Sequence, residues 1–123
     1  MKKLCLLFPG QGSQYVGMSK NHEEVFNLAS DVLGYDLKKI AAEGPEEELK
    51  LTMHTQPAIV AHSISSFINL QKLVGNRASM ELVLGHSVGE YAALAAAGVL
   101  SAKDAIKLVH YRGKFMQEAV PEG

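Results

Sequence analysis

The 123-residue sequence has a single cysteine, no tryptophan and only eight other aromatic residues, four tyrosines and four phenylalanines. One cysteine excludes a disulfide framework and a cysteine-built metal site, and no metal is expected. Cys5 sits in the apolar run Leu4-Cys5-Leu6-Leu7-Phe8, where a buried packing thiol is the expectation. No segment approaches the ~20 apolar residues that span a bilayer, so no membrane partner is expected. The two lysines before that run imitate a signal peptide. The run is too short for one, however, and passes straight into Pro9-Gly10-Gln11-Gly12 without a small-residue cleavage pattern. Net charge is −1, with 12 Lys and Arg scattered among 13 Asp and Glu. That distribution leaves no basic footprint for nucleic acid. The expected setting is the cytoplasm.

What is present has a globular balance, with 47% hydrophobic and 20% charged residues. At this length the chain is one ordinary domain or a piece of a larger one. The run over 4–8 reads as a fully buried strand ended by Pro-Gly, followed by a glycine-rich loop over 9–17. Helices are expected over 23–33 with Gly34 as C-cap, more weakly over 36–42, and briefly over 45–51 behind Pro45. A long helix is placed from about Thr55 to Gly75. A second strand follows over 80–84, then an alanine-rich helix over 88–97. A last helix runs over 101–119, with Ser101 and Asp104 spaced as a capping box. Strands alternating with helices argue for an α/β fold with parallel pairing. Two strands make no stable sheet, so further strands are expected from sequence outside this chain.

Gly85-His86-Ser87-Val88-Gly89 matches Gly-x-Ser-x-Gly, and it lies between an expected strand and an expected helix. A serine on so sharp a turn sits at a strained backbone position, with glycines leaving room for the turn to pack. It also lies at a helix N-terminus, where unpaired N–H groups and the dipole favour a developing oxyanion. The Val88 N–H is the natural first donor. An incidental serine in a glycine-rich turn is the plain alternative. A hydroxyl needs a base, and no histidine here fits. His86 is adjacent and points away, and His110 is expected to face solvent. His22 and His54 fall at loop or helix edges, and His62 suits packing or capping. The base is therefore expected beyond residue 123.

Two further features surround the serine. Tyr15 stands where a dinucleotide fingerprint needs a small residue, and no Gly-Lys-Ser/Thr follows, so the glycine-rich loop is not a nucleotide site. It is either a plain tight turn or the source of a second oxyanion donor, the Gln11 backbone N–H. On a helical wheel Ala105, Leu108, Val109 and Met116 form an apolar stripe with Arg112 in its middle. A core-facing guanidinium needs an anionic partner. That partner is either a structural Asp or Glu, or a carboxylate that arrives with the substrate and matches the planar fork.

Four segments together carry a family resemblance: Phe8-Pro9-Gly10-Gln11-Gly12-Ser13-Gln14, Thr55-Gln56-Pro57-Ala58, Gly85-His86-Ser87-Val88-Gly89-Glu90 and Arg112-Gly113-Lys114-Phe115-Met116-Gln117. In this order they resemble the malonyl-CoA:acyl carrier protein transacylases of fatty-acid synthesis, over essentially the whole chain. The resemblance implies that Ser87 carries the acyl group, that Gln11 and Val88 supply the oxyanion hole, and that Arg112 pairs with the malonyl carboxylate near a supporting Gln56. It implies malonyl-CoA as substrate, acyl carrier protein as partner and no separate cofactor. Three departures stand out. Val88 replaces the usual leucine, the stretch from Met18 to Val25 is several residues short, and the chain stops at Pro121-Glu122-Gly123. There family members continue into a ferredoxin-like subdomain and then return to supply the catalytic histidine. The expectation is an α/β, partial hydrolase-like parallel-sheet domain. Residues 1–123 would form the N-terminal portion of the acyltransferase large subdomain, partnered by the remainder of its own polypeptide. The rival readings are a serine esterase, an acyltransferase domain of a multidomain synthase, and a catalytically silent binding fragment. The start at Met1, directly before the first strand, favours a stand-alone enzyme over the synthase domain.

Overall fold

A computed structural model describes residues 1–120; the Pro121-Glu122-Gly123 end lies outside the described residues. The chain runs β1 (Lys2–Phe8), α1 (Glu23–Leu33), α2 (Leu37–Glu43), α3 (Glu46–Leu49), α4 (Thr52–Val74), a 3-10 turn (Gly75–Arg77), β2 (Ala78–Gly85), α5 (Gly89–Ala96) and α6 (Ala102–Ala119). The two strands pair in parallel, as the alternation of strands and helices requires. The architecture is α/β with a small parallel sheet.

Register decides which strand residues are buried. Leu6 pairs with Val83, and with Phe8 these side chains meet Phe67 of α4 and Ala92, Ala93 and Ala96 of α5. The alternate residues Cys5, Leu7, Leu82 and Leu84 share the opposite face, and Leu7 is 74% exposed. The expectation of a fully buried β1 is thus corrected: among the described residues, helices cover one face of the sheet. Cys5 is exposed for the same reason, rather than a buried packing thiol.

The larger core is helical. Phe26, Leu37, Leu49, Ile59, Val60, Ile106 and Val109 join α1, α2, α3, α4 and α6, and α4 and α6 pack against each other along much of their length. Local capping follows the sequence in places. Gly34 ends α1 in a left-handed conformation, and the Ser101 hydroxyl accepts the Asp104 N–H at the start of α6. α4 starts three residues earlier than the sequence suggests, because its first N–H is satisfied from a distant helix rather than by a local cap. Leu51 at the N-cap contributes no side-chain bond; Gln117 Oε1 of α6 accepts the Thr52 N–H at 2.8 Å instead. Pro57 lies inside α4 and cannot serve the Met53 carbonyl. The Tyr35 hydroxyl reaches that carbonyl at 3.5 Å, from a site whose burial raises the phenol to about 12. No described helix is long and apolar enough to cross a membrane.

Candidate active site

β2 delivers the chain at Gly85, and α5 starts at Gly89, so three residues make the turn between them. Ser87, the middle one, has φ 54. That left-handed region costs a non-glycine residue on the order of 1–3 kcal/mol, a strain typical of functional turns. The flanking glycines are sterically required. A Cβ at Gly85 would lie 2.2 Å from the Gly89 carbonyl carbon, and one at Gly89 would lie 2.3 Å from the Phe8 carbonyl oxygen. The His86 N–H donates to that same Phe8 oxygen at 3.0 Å. The end of β1, and with it the glycine-rich loop, is thereby held against the Ser87 turn. A groove of about 400 Å³ lined by Leu7, Phe8, Pro9, Leu84, Gly85 and His86 opens at the C-terminal ends of both strands, the usual ligand side of an α/β sheet.

Ser87 is exposed, and its hydroxyl oxygen accepts from Arg112 Nη2 at 3.1 Å. Arg112 Nη1 donates to Gln56 Oε1 at 2.8 Å. Gln56 is fully buried on α4, and its Nε2 donates to the Met116 sulfur at 3.2 Å. The guanidinium carbon also stands 6.0 Å from the Tyr91 ring centroid, within cation–π range. The structure therefore brings Ser87, Gln56 and Arg112 into one connected cluster from α4, α6 and the turn before α5. Among the described residues no carboxylate pairs with Arg112. Of the two partners the sequence left open for it, the structural Asp or Glu is not found there.

The apolar stripe of α6 is corrected in its position. Ala105, Ile106, Val109 and Gly113 are buried, whereas Leu108 and Met116 are 46% and 43% exposed. A wheel that scores glycine as neutral misses the reason: Gly113 lets α6 come close to α4, since a Cβ there would lie 2.9 Å from the Thr52 carbonyl oxygen. Arg112 consequently sits half-buried at the border of the seam, where its head reaches the serine.

Val88 is buried and Gln11 is exposed. No described residue accepts either of their backbone N–H groups. Gln11 is tied down by its side chain, whose Nε2 donates to Thr52 Oγ1 at 3.3 Å. The other loop bonds nearby are internal, from Ser13 to the Gly10 carbonyl and from the Gly12 N–H to Gln14 Oε1.

None of the described hydrogen bonds of Ser87 involves a histidine. His110, expected to face solvent, is half-buried beside Tyr35, and its Nδ1 is enclosed without a partner among the described residues. Burial, together with Lys114 and His54, lowers its pKa. His54, expected at an edge, is buried in the first turn of α4 and bonds the Glu48 carbonyl at 2.9 Å. His62 packs its ring 4.5 Å from that of His22, and burial followed by that neighbour lowers its pKa. Sequence reasoning missed Thr52 and Tyr91. Neither carries a motif signal of its own, and only the packing of α4 and α5 against the site brings them in.

Comparison with known proteins identifies the family and the overall fold. A family model described as an acyl transferase domain matches residues 5–123. A malonyl CoA-acyl carrier protein transacylase of Haemophilus influenzae is 50% identical over 130 aligned positions, which take in all of this chain and 41% of that protein. A solved malonyl CoA-acyl carrier protein transacylase from Coxiella burnetii superposes with a TM-score of 0.89 at 41% identity, over 98% of this chain and 40% of that one. A malonyl-transacylase solved in complex with a type II polyketide acyl-carrier protein gives 0.88 at 48% identity, with similar coverage. The chain thus spans about two-fifths of the length of the relatives it matches.

Proposed function

The chain belongs to the acyl transferase domain family, and from that premise we propose that it carries the nucleophile and the acyl-carboxylate anchor of a malonyl-CoA:acyl carrier protein transacylase in cytoplasmic fatty-acid synthesis. The observation behind this reading is a guanidinium whose only described hydrogen-bond partners are neutral, one of them the candidate nucleophile. A cation so placed has no anionic partner among the described residues, and a malonyl group on Ser87 brings one. One methylene separates its reacting carbonyl from its carboxylate, so the carboxylate falls within reach of Arg112. Gln56, fixed by Met116, holds the fork in position.

In the proposed route Ser87 Oγ attacks the thioester carbonyl carbon of malonyl-CoA and gives up its proton to a base. The oxyanion is met by the Val88 and Gln11 N–H groups, both without acceptors among the described residues, at the start of α5. Collapse breaks the carbon–sulfur bond, and coenzyme A leaves as the thiol, taking the proton from the base. The phosphopantetheine thiol of the carrier protein then attacks the seryl ester and takes the malonyl group by the same steps in reverse. The base comes from outside these 123 residues, and the route calls on no cofactor or metal. Residues 1–123 form the N-terminal portion of the large, hydrolase-like subdomain, and the exposed sheet face meets the rest of the same polypeptide.

The test is transfer from radiolabelled malonyl-CoA by the full-length protein, with and without carrier protein. Label should move to the carrier protein, with little hydrolysis in its absence. Equal release of free malonate with and without carrier would point to an esterase and overturn the reading.

A further inference from the structure

The first turn of α4 bonds two parts of the site, the glycine-rich loop and α6, through one residue. Thr52 is 5% exposed. Its N–H is held by Gln117 Oε1 of α6, and its hydroxyl oxygen accepts from Gln11 Nε2 of the glycine-rich loop. Between Gly10 and Gln14 the other described bonds are internal to the loop. The Gln11–Thr52 bond is thus the one that ties this stretch to a helix. α6 reaches Thr52 because Gly113 has no side chain, and the same face of α6 carries Arg112 and Met116.

We propose that Thr52, held in turn by Gln117, is a positioning residue that sets the Gln11 backbone N–H at the Ser87 turn. The inference rests on Gln11 being the second oxyanion donor. A donor contributes only when it lies within hydrogen-bond distance of the oxyanion, and displacement by about 1 Å costs up to ~100-fold in rate. Gln11 lies in an exposed loop without regular structure, so its side-chain tether to a buried hydroxyl supplies the missing rigidity. Because Gln117 and Arg112 come from one helix, the carboxylate anchor and the oxyanion donor are set by the same α4–α6 seam.

The experiment follows the burst of malonyl-enzyme formation in the full-length protein. Thr52→Val removes the acceptor while keeping shape and the N–H held by Gln117. It should slow acylation about ten- to a hundredfold, with KM and the malonyl-to-acetyl ratio unchanged, and Thr52→Ser should recover most of the rate. Gln11→Ala cuts the same bond from an exposed position that leaves the fold intact. It should cost as much, and the double variant should be no slower than either single one. Gln11→Pro, which deletes the N–H itself, should cost ~100- to 1000-fold. A slow Gln11→Pro with a wild-type rate for Thr52→Val and Gln11→Ala would overturn the positioning role alone. A wild-type rate for Gln11→Pro would overturn the donor reading beneath it, and the proposal with it.

Discussion

Replacing Arg112 by alanine separates the anchor reading from a structural one. In the malonyl complex the guanidinium would meet a carboxylate in a half-buried seam, a charge-assisted contact worth roughly 1.5–3 kcal/mol. Each 1.4 kcal/mol is about tenfold, so malonyl transfer should fall about ten- to a few-hundredfold. Acetyl brings no carboxylate, and its transfer should fall far less or rise. Stability will not decide the matter, because Gln56 Oε1 loses its donor in a fully buried position in either case. An unsatisfied buried acceptor costs about 1–3 kcal/mol, so a lowered Tm is expected on any account. The deciding quantity is the malonyl-to-acetyl ratio of kcat/KM, measured for wild type and variant in the full-length protein. Arg112→Lys should fall between them, since it keeps the charge but loses the planar fork. A ratio unchanged by Arg112→Ala, with both activities reduced together, would refute the anchor.

Three other outcomes follow from geometry. Ser87→Gly relieves a left-handed non-glycine residue, so the variant should be more stable by about 1–2 kcal/mol in urea titration; a loss of stability would contradict the strain. Gly113→Ala should destabilise the protein although alanine is the better helix former by about 1 kcal/mol, because the new Cβ meets the Thr52 carbonyl oxygen at 2.9 Å. A raised urea midpoint would show that α6 shifts freely. His62 and His110 have pKa values lowered in the folded state, chiefly by burial. The unfolded chain therefore binds more protons as pH falls below about 6.5, and the stability due to the neutral rings, complete above that pH, is progressively lost. The urea midpoint should be lower at pH 5.5 than at 7.5, and His110→Gln should narrow the gap; a gap unchanged in that variant would remove His110 as a cause.

The local devices of the fold were legible because they reside in neighbouring residues. The Gly-x-Ser-x-Gly spacing announced the turn now seen at φ 54, Gly34 marked the end of α1, and Ser101 marked the start of α6. Features set by distant partners were not. α4 begins at Thr52 because α6 caps it, a bond across 65 residues that no local pattern encodes. The α6 stripe was misplaced by half a face, since a glycine that permits close approach looks neutral on a wheel. Cys5 read as buried because a run of five apolar residues suggests cover on both faces of the strand, and the described residues cover one. At the site itself Ser87, Gln56 and Arg112 were each identifiable as candidates, but the contact of Arg112 with the serine, rather than with an acidic side chain, required the packing of α4 and α6.

The most direct test of the whole account is where the acyl group goes. The full-length protein is incubated with malonyl-CoA without carrier protein, quenched in acid, digested and examined by mass spectrometry. One malonyl group should appear per chain, on the peptide containing Ser87, and Ser87→Ala should show none while keeping the wild-type circular dichroism spectrum. An adduct of undiminished amount in Ser87→Ala, or one that maps to another residue, would contradict the central claim.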